Sequence, residues 1–142
     1  MIARTTPAAR VRTIGLALLL GALSGGAAFA AEVKLTLSGA NEVPPVTTAA
    51  SGSGTIVVGD DGSVAGSVST TGVAGTAAHI HRGAAGQNGP VLVPLVKEGD
   101  SYKVPAGVKF TAEQMSSFKA GELYVNVHSA ANPGGEVRAQ IK

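Results

Sequence analysis

Leu123-Tyr124-Val125-Asn126-Val127-His128 and Glu136-Val137-Arg138-Ala139-Gln140-Ile141 carry the plainest structural signal in the chain. In both segments apolar and polar side chains alternate, the period of two that a half-buried strand imposes. Leu123, Val125 and Val127 form one set, as do Val137, Ala139 and Ile141; the core is expected to take these. Tyr124, Asn126 and His128, with Glu136, Arg138 and Gln140, are expected on outer, solvated faces. Asn132-Pro133-Gly134-Gly135 supplies the turn between them, so the two strands are expected as hairpin neighbours.

The same period runs upstream. Val33, Leu35 and Leu37 alternate with Lys34 and Thr36 until Asn41-Glu42-Val43-Pro44-Pro45 breaks the strand, because neither proline can donate a ladder hydrogen bond. Thr55 to Val58 and Ser63 to Thr70 are joined by Gly59-Asp60-Asp61-Gly62, a hairpin turn. Ala77 to Arg82 reads as a short strand and Gly83 to Pro90 as a loop. Val91 to Val96 reads as one apolar strand in which Pro94 argues for an edge or a bulge. One helix is expected: Thr111-Ala112-Glu113-Gln114 resembles a capping box, Ala112, Met115 and Phe118 share a face, and Gly121 can end it. About eight short strands and one short helix predict an all-β fold, a sandwich or small barrel.

The chain has 142 residues, with 11 basic and 9 acidic side chains, no cysteine and no tryptophan. Residues 1–30 read as a signal peptide: Arg4, Arg10 and Arg12 lead an uncharged apolar stretch that ends in Ala28-Phe29-Ala30. Retention of Ile14 to Ala31 as an anchor is the alternative, since roughly 18 uncharged residues nearly span a bilayer. Cleavage leaves residues 31–142 as one domain with 8 basic and 9 acidic groups, so the basic excess belongs to the leader. A nucleic-acid partner and an anionic membrane surface are thereby disfavoured. The lack of cysteine excludes a disulfide scaffold and a lipid-anchored lipoprotein. The expected location is periplasmic or secreted.

The histidines carry the functional argument. His79 and His81 project to one face of a strand while Ile80 points the other way, and His128 lies on the outer face of its own strand. Three neutral imidazoles with an open fourth position suit Cu²⁺ or Zn²⁺. Asn126, Glu136 and Arg138 are expected to complete the polar patch around them. An exposed His-x-His is also an ordinary solvated face, and Arg138 could simply pair across strands with Glu122 or Glu136. With both histidines on a solvated face, substituting either is expected to leave the fold intact. Gly83 to Gly89 is glycine-rich but lacks a lysine and leads into a strand, which argues against a phosphate cradle.

Three ordered motifs resemble the CHRD domain, named after chordin. They are Leu37-Ser38-Gly39-Ala40-Asn41-Glu42-Val43-Pro44-Pro45; Ala78-His79-Ile80-His81 with Gly83 and Asn88-Gly89-Pro90-Val91; and Tyr124-Val125-Asn126-Val127-His128 with Pro133, Gly135-Glu136-Val137-Arg138. Ala139 stands where the family usually has glycine. The resemblance covers residues 32–142. It implies an immunoglobulin-like, Greek-key β-sandwich or barrel with distant similarity to copper/zinc superoxide dismutase, whose His-x-His strand would correspond to His79-Ile80-His81. It also implies an extracellular setting. Three functions compete: an exported domain binding copper, or next zinc, through His79, His81 and His128; a structural or interaction module with an envelope or extracellular protein partner; and a dismutase-like enzyme. The last lacks the further imidazoles that a bridged copper–zinc pair requires.

Overall fold

The computed structural model describes residues 30–142, so the expected leader lies outside the described residues except for Ala30, which opens the first strand. The strands are β1 (Ala30–Ser38), β2 (Ser51–Gly59), β3 (Val64–Thr71), β4 (Gly75–Arg82), β5 (Val91–Pro94), β6 (Val96–Glu98), β7 (Ser101–Lys103), β8 (Leu123–Ser129) and β9 (Val137–Ile141). The helix α1 (Ala112–Lys119) lies between β7 and β8. All nine strands join one antiparallel sheet in the order β5-β4-β8-β9-β1-β2-β3-β7-β6. The sheet curls into a nearly closed barrel, in line with the all-β expectation. β5 and β6 are its two edges, yet they follow one another in sequence with only Leu95 between them. Leu95 N–H donates to Ala78 O of β4 at 2.9 Å, so the residue that links the two edge strands is itself tied to the sheet.

Register fixes which side chains meet. Ile80 lies opposite Val125, and Val125 opposite Ala139, which makes one apolar row across β4, β8 and β9. His79, Asn126 and Arg138 form the adjacent row, pointing to the other face. Leu35, Leu37, Ile56, Val58, Val68 and Ile80 are buried together with Leu123, Val125, Val127, Val137 and Ile141, so the apolar alternation does face the core. The small residues of β2 and β3 alternate as expected, paired from Ser51–Thr71 to Val58–Val64.

Three details depart from the sequence reading. Val91 to Val96 is two strands, broken at Pro94-Leu95, and the ladder to β4 shifts register between Ile80 and His81. Val96–Glu98 and Ser101–Lys103 form a hairpin around Gly99-Asp100 that brings Tyr102 into the core. The helix does carry the Thr111–Gln114 capping box, and Gly121 follows it in the left-handed region. Its Met115 and Phe118 are only half-buried, however, Ala112 is exposed, and Ser117 is its one buried residue.

Ile80 is wholly enclosed by this core. Ile80→Ala is expected to cost about 2–5 kcal/mol, from lost transfer energy plus a cavity that the ladder prevents from collapsing. Urea unfolding of the metal-free protein measures it.

Candidate metal centre

The three histidines converge. β4 carries His79 and His81 on one face, β8 places His128 beside them, and one ligand nitrogen of each lies within 4.8 Å of the other two. His79 and His128 are half-buried and His81 is buried, so the cluster is lined by strand on one side and open on the other.

Carbonyl oxygens orient the rings. Pro133 O lies 2.8 Å from His128 Nδ1, and Gly89 O lies 3.0 Å from His81 Nδ1. A carbonyl only accepts, so both Nδ1 atoms carry the proton, and both Nε2 atoms present lone pairs. His128 Nε2 takes up a hydrogen bond from His79 Nδ1 at 2.9 Å; His81 Nε2 is buried without any partner. A ligating histidine that donates its second N–H to a backbone carbonyl is the usual support of a metal site. Burial and the neighbouring imidazoles push the pKa of His79 below its ordinary value. Burial does the same for His81, partly offset by the Gly89 carbonyl. Both are therefore held in the neutral, ligating form.

The expected solvated patch is instead a buried one. His81 is 8% exposed, Asn126 2%, Glu136 8% and Arg138 1%: the loop 83–90 covers His81 and Arg138, Glu42 and Gly134 meet Asn126, and Thr48 and Ser129 meet Glu136. Alternation reveals which side chains point away from the core but not what lies over them. Arg138 makes no ion pair among the described residues, contrary to the pairing with Glu122 or Glu136. Its guanidinium lies 3.4 Å over the Tyr124 ring and donates to Asn88 Oδ1, Ala84 O and Gln87 O. His81 stacks on Tyr124 with ring planes 1° apart. Since β8 runs between β4 and β9, Tyr124 is held between His81 and Arg138. His81→Ala therefore removes buried packing as well as a ligand. Glu136 accepts from Thr48 Oγ1 at 2.8 Å and from Ser129 Oγ; these hydroxyls hold its carboxyl below the usual range.

Sequence reasoning missed Glu42. Its side chain is 4% exposed and reaches the Asn126 amide from the loop after β1. The signals that could have found it are its place in the opening motif of the family resemblance and the two prolines that follow Val43. A cleft of about 640 Å³ lies over β1 and β9, with Glu42 and Arg138 in its wall. None of the three histidines lines it, and Lys34 and Lys142 at its rim are exposed, so volume does not mark the chemistry here.

Burial raises the Glu42 pKa from 4.5 to about 7, outweighing the attraction of Arg138 and the Asn126 hydrogen bond. Folded Glu42 thus keeps a proton that the unfolded chain has released. Its stabilisation is complete below about pH 4.5 and is lost as pH rises through about 7. Glu42→Gln is expected to raise the melting temperature of the metal-free protein at pH 8 and to leave it nearly unchanged at pH 4. Thermal melts at the two pH values check this.

No curated protein and no solved structure matches the chain. A family model does: the CHRD domain, over residues 33–141, from the first core residue of β1 to the last residue of β9. The match takes in the loop that carries Glu42 and all three histidines, and the chain belongs to the CHRD domain family.

Proposed function

We propose that this CHRD domain is exported and binds one divalent metal ion, copper in preference to zinc, through His79, His81 and His128. The observation that carries the reading is the convergence of three ligand nitrogens within 4.8 Å, two of their rings already oriented by carbonyls. Rings fixed before the ion arrives lose little side-chain entropy on binding. Imidazole donors suit Cu²⁺ and Zn²⁺, whereas Cu⁺ favours thiolate and thioether ligands, and the only methionine beyond the leader, Met115, is in α1. The half-buried edge at His79 and His128 leaves room for an exchangeable ligand. A binding or delivery role fits such a site better than a bridged two-metal reaction, which three imidazoles do not supply.

Saturating Cu²⁺ or Zn²⁺ is expected to raise the melting temperature, by the equivalent of about 2.7 kcal/mol at a hundredfold excess over Kd. The gain should vanish in His79→Ala and His128→Ala. Each should weaken the affinity by more than the roughly 10–100-fold that loss of an outer-shell partner costs. Calorimetric titration with chelator competition reads both.

Protons compete for the same lone pairs, so affinity falls as pH drops. With the pKa values of His79 and His81 held down, their share of the fall comes below the ordinary histidine value of about 6.5. Titrations at pH 7.5, 6.5 and 5.5 are expected to show the larger loss in the lower interval. If metal-loaded and chelated protein melt alike, the domain acts instead as an interaction module for a protein partner.

A further inference from the structure

Resting on the three-histidine reading, we propose that Asn126 supplies the fourth donor to the metal through its side-chain oxygen, and that Glu42 is the positioning residue that turns the amide to do so. Three buried polar atoms make no hydrogen bond of ordinary geometry: His81 Nε2, Asn126 Oδ1 and Glu42 Oε1. They belong to one cluster, because the Asn126 amide reaches both His81 and Glu42. A buried acceptor left unpaired opposes folding, and natural proteins keep few of them. His81 Nε2, with its proton on Nδ1, and Asn126 Oδ1 are acceptors on neighbouring side chains, and a cation can satisfy both.

The register puts Asn126 at the right place. It lies directly opposite His79 on β4 and two residues from His128 on β8, on the face that all three histidines share. Its other cross-strand neighbour, Arg138, does not compete for Oδ1, because it donates to Asn88, Ala84 and Gln87.

The amide has one sensible orientation. Nδ2 donates to Gly134 O at 3.4 Å, and Glu42 Oε1 crowds the same side. Gly134 O can only accept, so turning the amide over would set oxygen against oxygen. Oδ1 is thereby directed away from them, towards His81. Gly135 makes this possible: with φ +126° it has no side chain, and a Cβ there would collide with both Glu42 Oε1 and Asn126 Nδ2. Three imidazole nitrogens and one amide oxygen make a neutral donor set, and the Glu42 carboxyl stands just outside it.

The test uses the full chain, Zn²⁺ alone as the probe, and competition with a coloured chelator. Asn126→Asp is expected to hold Zn²⁺ at least as tightly as the parent. Asn126→Leu and Glu42→Leu are expected to weaken it by about tenfold or more, while Glu42→Gln, which can still accept from Nδ2, stays within a few-fold of the parent. A purely structural role for Glu42 would not separate Gln from Leu in affinity once both are shown to be folded. In the unaltered protein, the Asn126 side-chain amide resonances should move on adding Zn²⁺ together with those of the three imidazoles. This second readout stands even if Asn126→Leu fails to fold. If the imidazole signals move and the Asn126 amide does not, or if folded Asn126→Leu binds as the parent does, this proposal is overturned and the three-histidine site survives. If parent and His128→Ala bind Zn²⁺ equally poorly, the histidine site itself is overturned.

Discussion

A buried guanidinium that makes no ion pair among the described residues governs the polar side of this barrel. Arg138 is held by the face of Tyr124 and by oxygens from Ala84, Gln87 and Asn88, all dipoles rather than charges. Desolvating an ion is costly, and here the cost is offset by charge-assisted hydrogen bonds and by a cation–π contact worth about 2 kcal/mol when water is excluded. The effect on the site is local and mechanical. The guanidinium pulls the loop 83–90 onto the sheet, and the seated loop delivers Gly89 O to His81 Nδ1. That carbonyl fixes the proton of His81 on one nitrogen and leaves the other as a lone pair. Arg138 donates no hydrogen bond to a histidine, yet together with Gln140 and Tyr124 it seats the loop that orients one.

Much of this barrel is readable as alternation. Val33-x-Leu35-x-Leu37, Leu123-x-Val125-x-Val127 and Val137-x-Ala139-x-Ile141 all point inward, and the turns at Gly59–Gly62 and Asn132–Gly135 fall where their composition puts them. The hairpin of β6 and β7 is not read from the sequence: its strands are only three residues long, and the apolar run Val91 to Val96 ahead of it hides where β5 ends. The cover over the histidines does not follow from period alone, although the composition of the strands holds one clue to it. On β1 the side chains facing away from the core are Glu32, Lys34 and Thr36, ordinary solvated residues, whereas β8 offers Tyr124, Asn126 and His128 with no lysine, glutamate or threonine. Large amphipathic groups on a strand's second face point to a strand covered on both sides. Convergence of His128 with His79 and His81 depends on β8 pairing with β4, a partnership between segments far apart in the chain that no local pattern encodes.

The histidine cluster also shows how a small domain can prepare a site with few charges. Its rings are set by backbone carbonyls, which have no rotamers to lose and no charge to desolvate. The carbonyls come from two separate loops, at Gly89 and Pro133, and fix the rings of His81 and His128, while His79 is held by its hydrogen bond to His128. Such an arrangement holds ligand nitrogens near one another against their mutual repulsion, and burial, which disfavours the protonated forms, works in the same direction.

The seam at Pro94-Leu95 has a consequence for how these molecules behave in crowds. An open sheet ends in two rows of unpaired amides that invite a stranger's strand. Here the two end strands, four and three residues long, are neighbours along the backbone, and a single residue turns one into the other. One carries a proline, which cannot donate, and the other carries Lys97 and Glu98, whose charges resist stacking into a fibril. Any intruding chain would find only a short template, bent where one edge turns into the other. A barrel whose two edges are joined by its own covalent thread keeps its open ladder short without a disulfide to lock it.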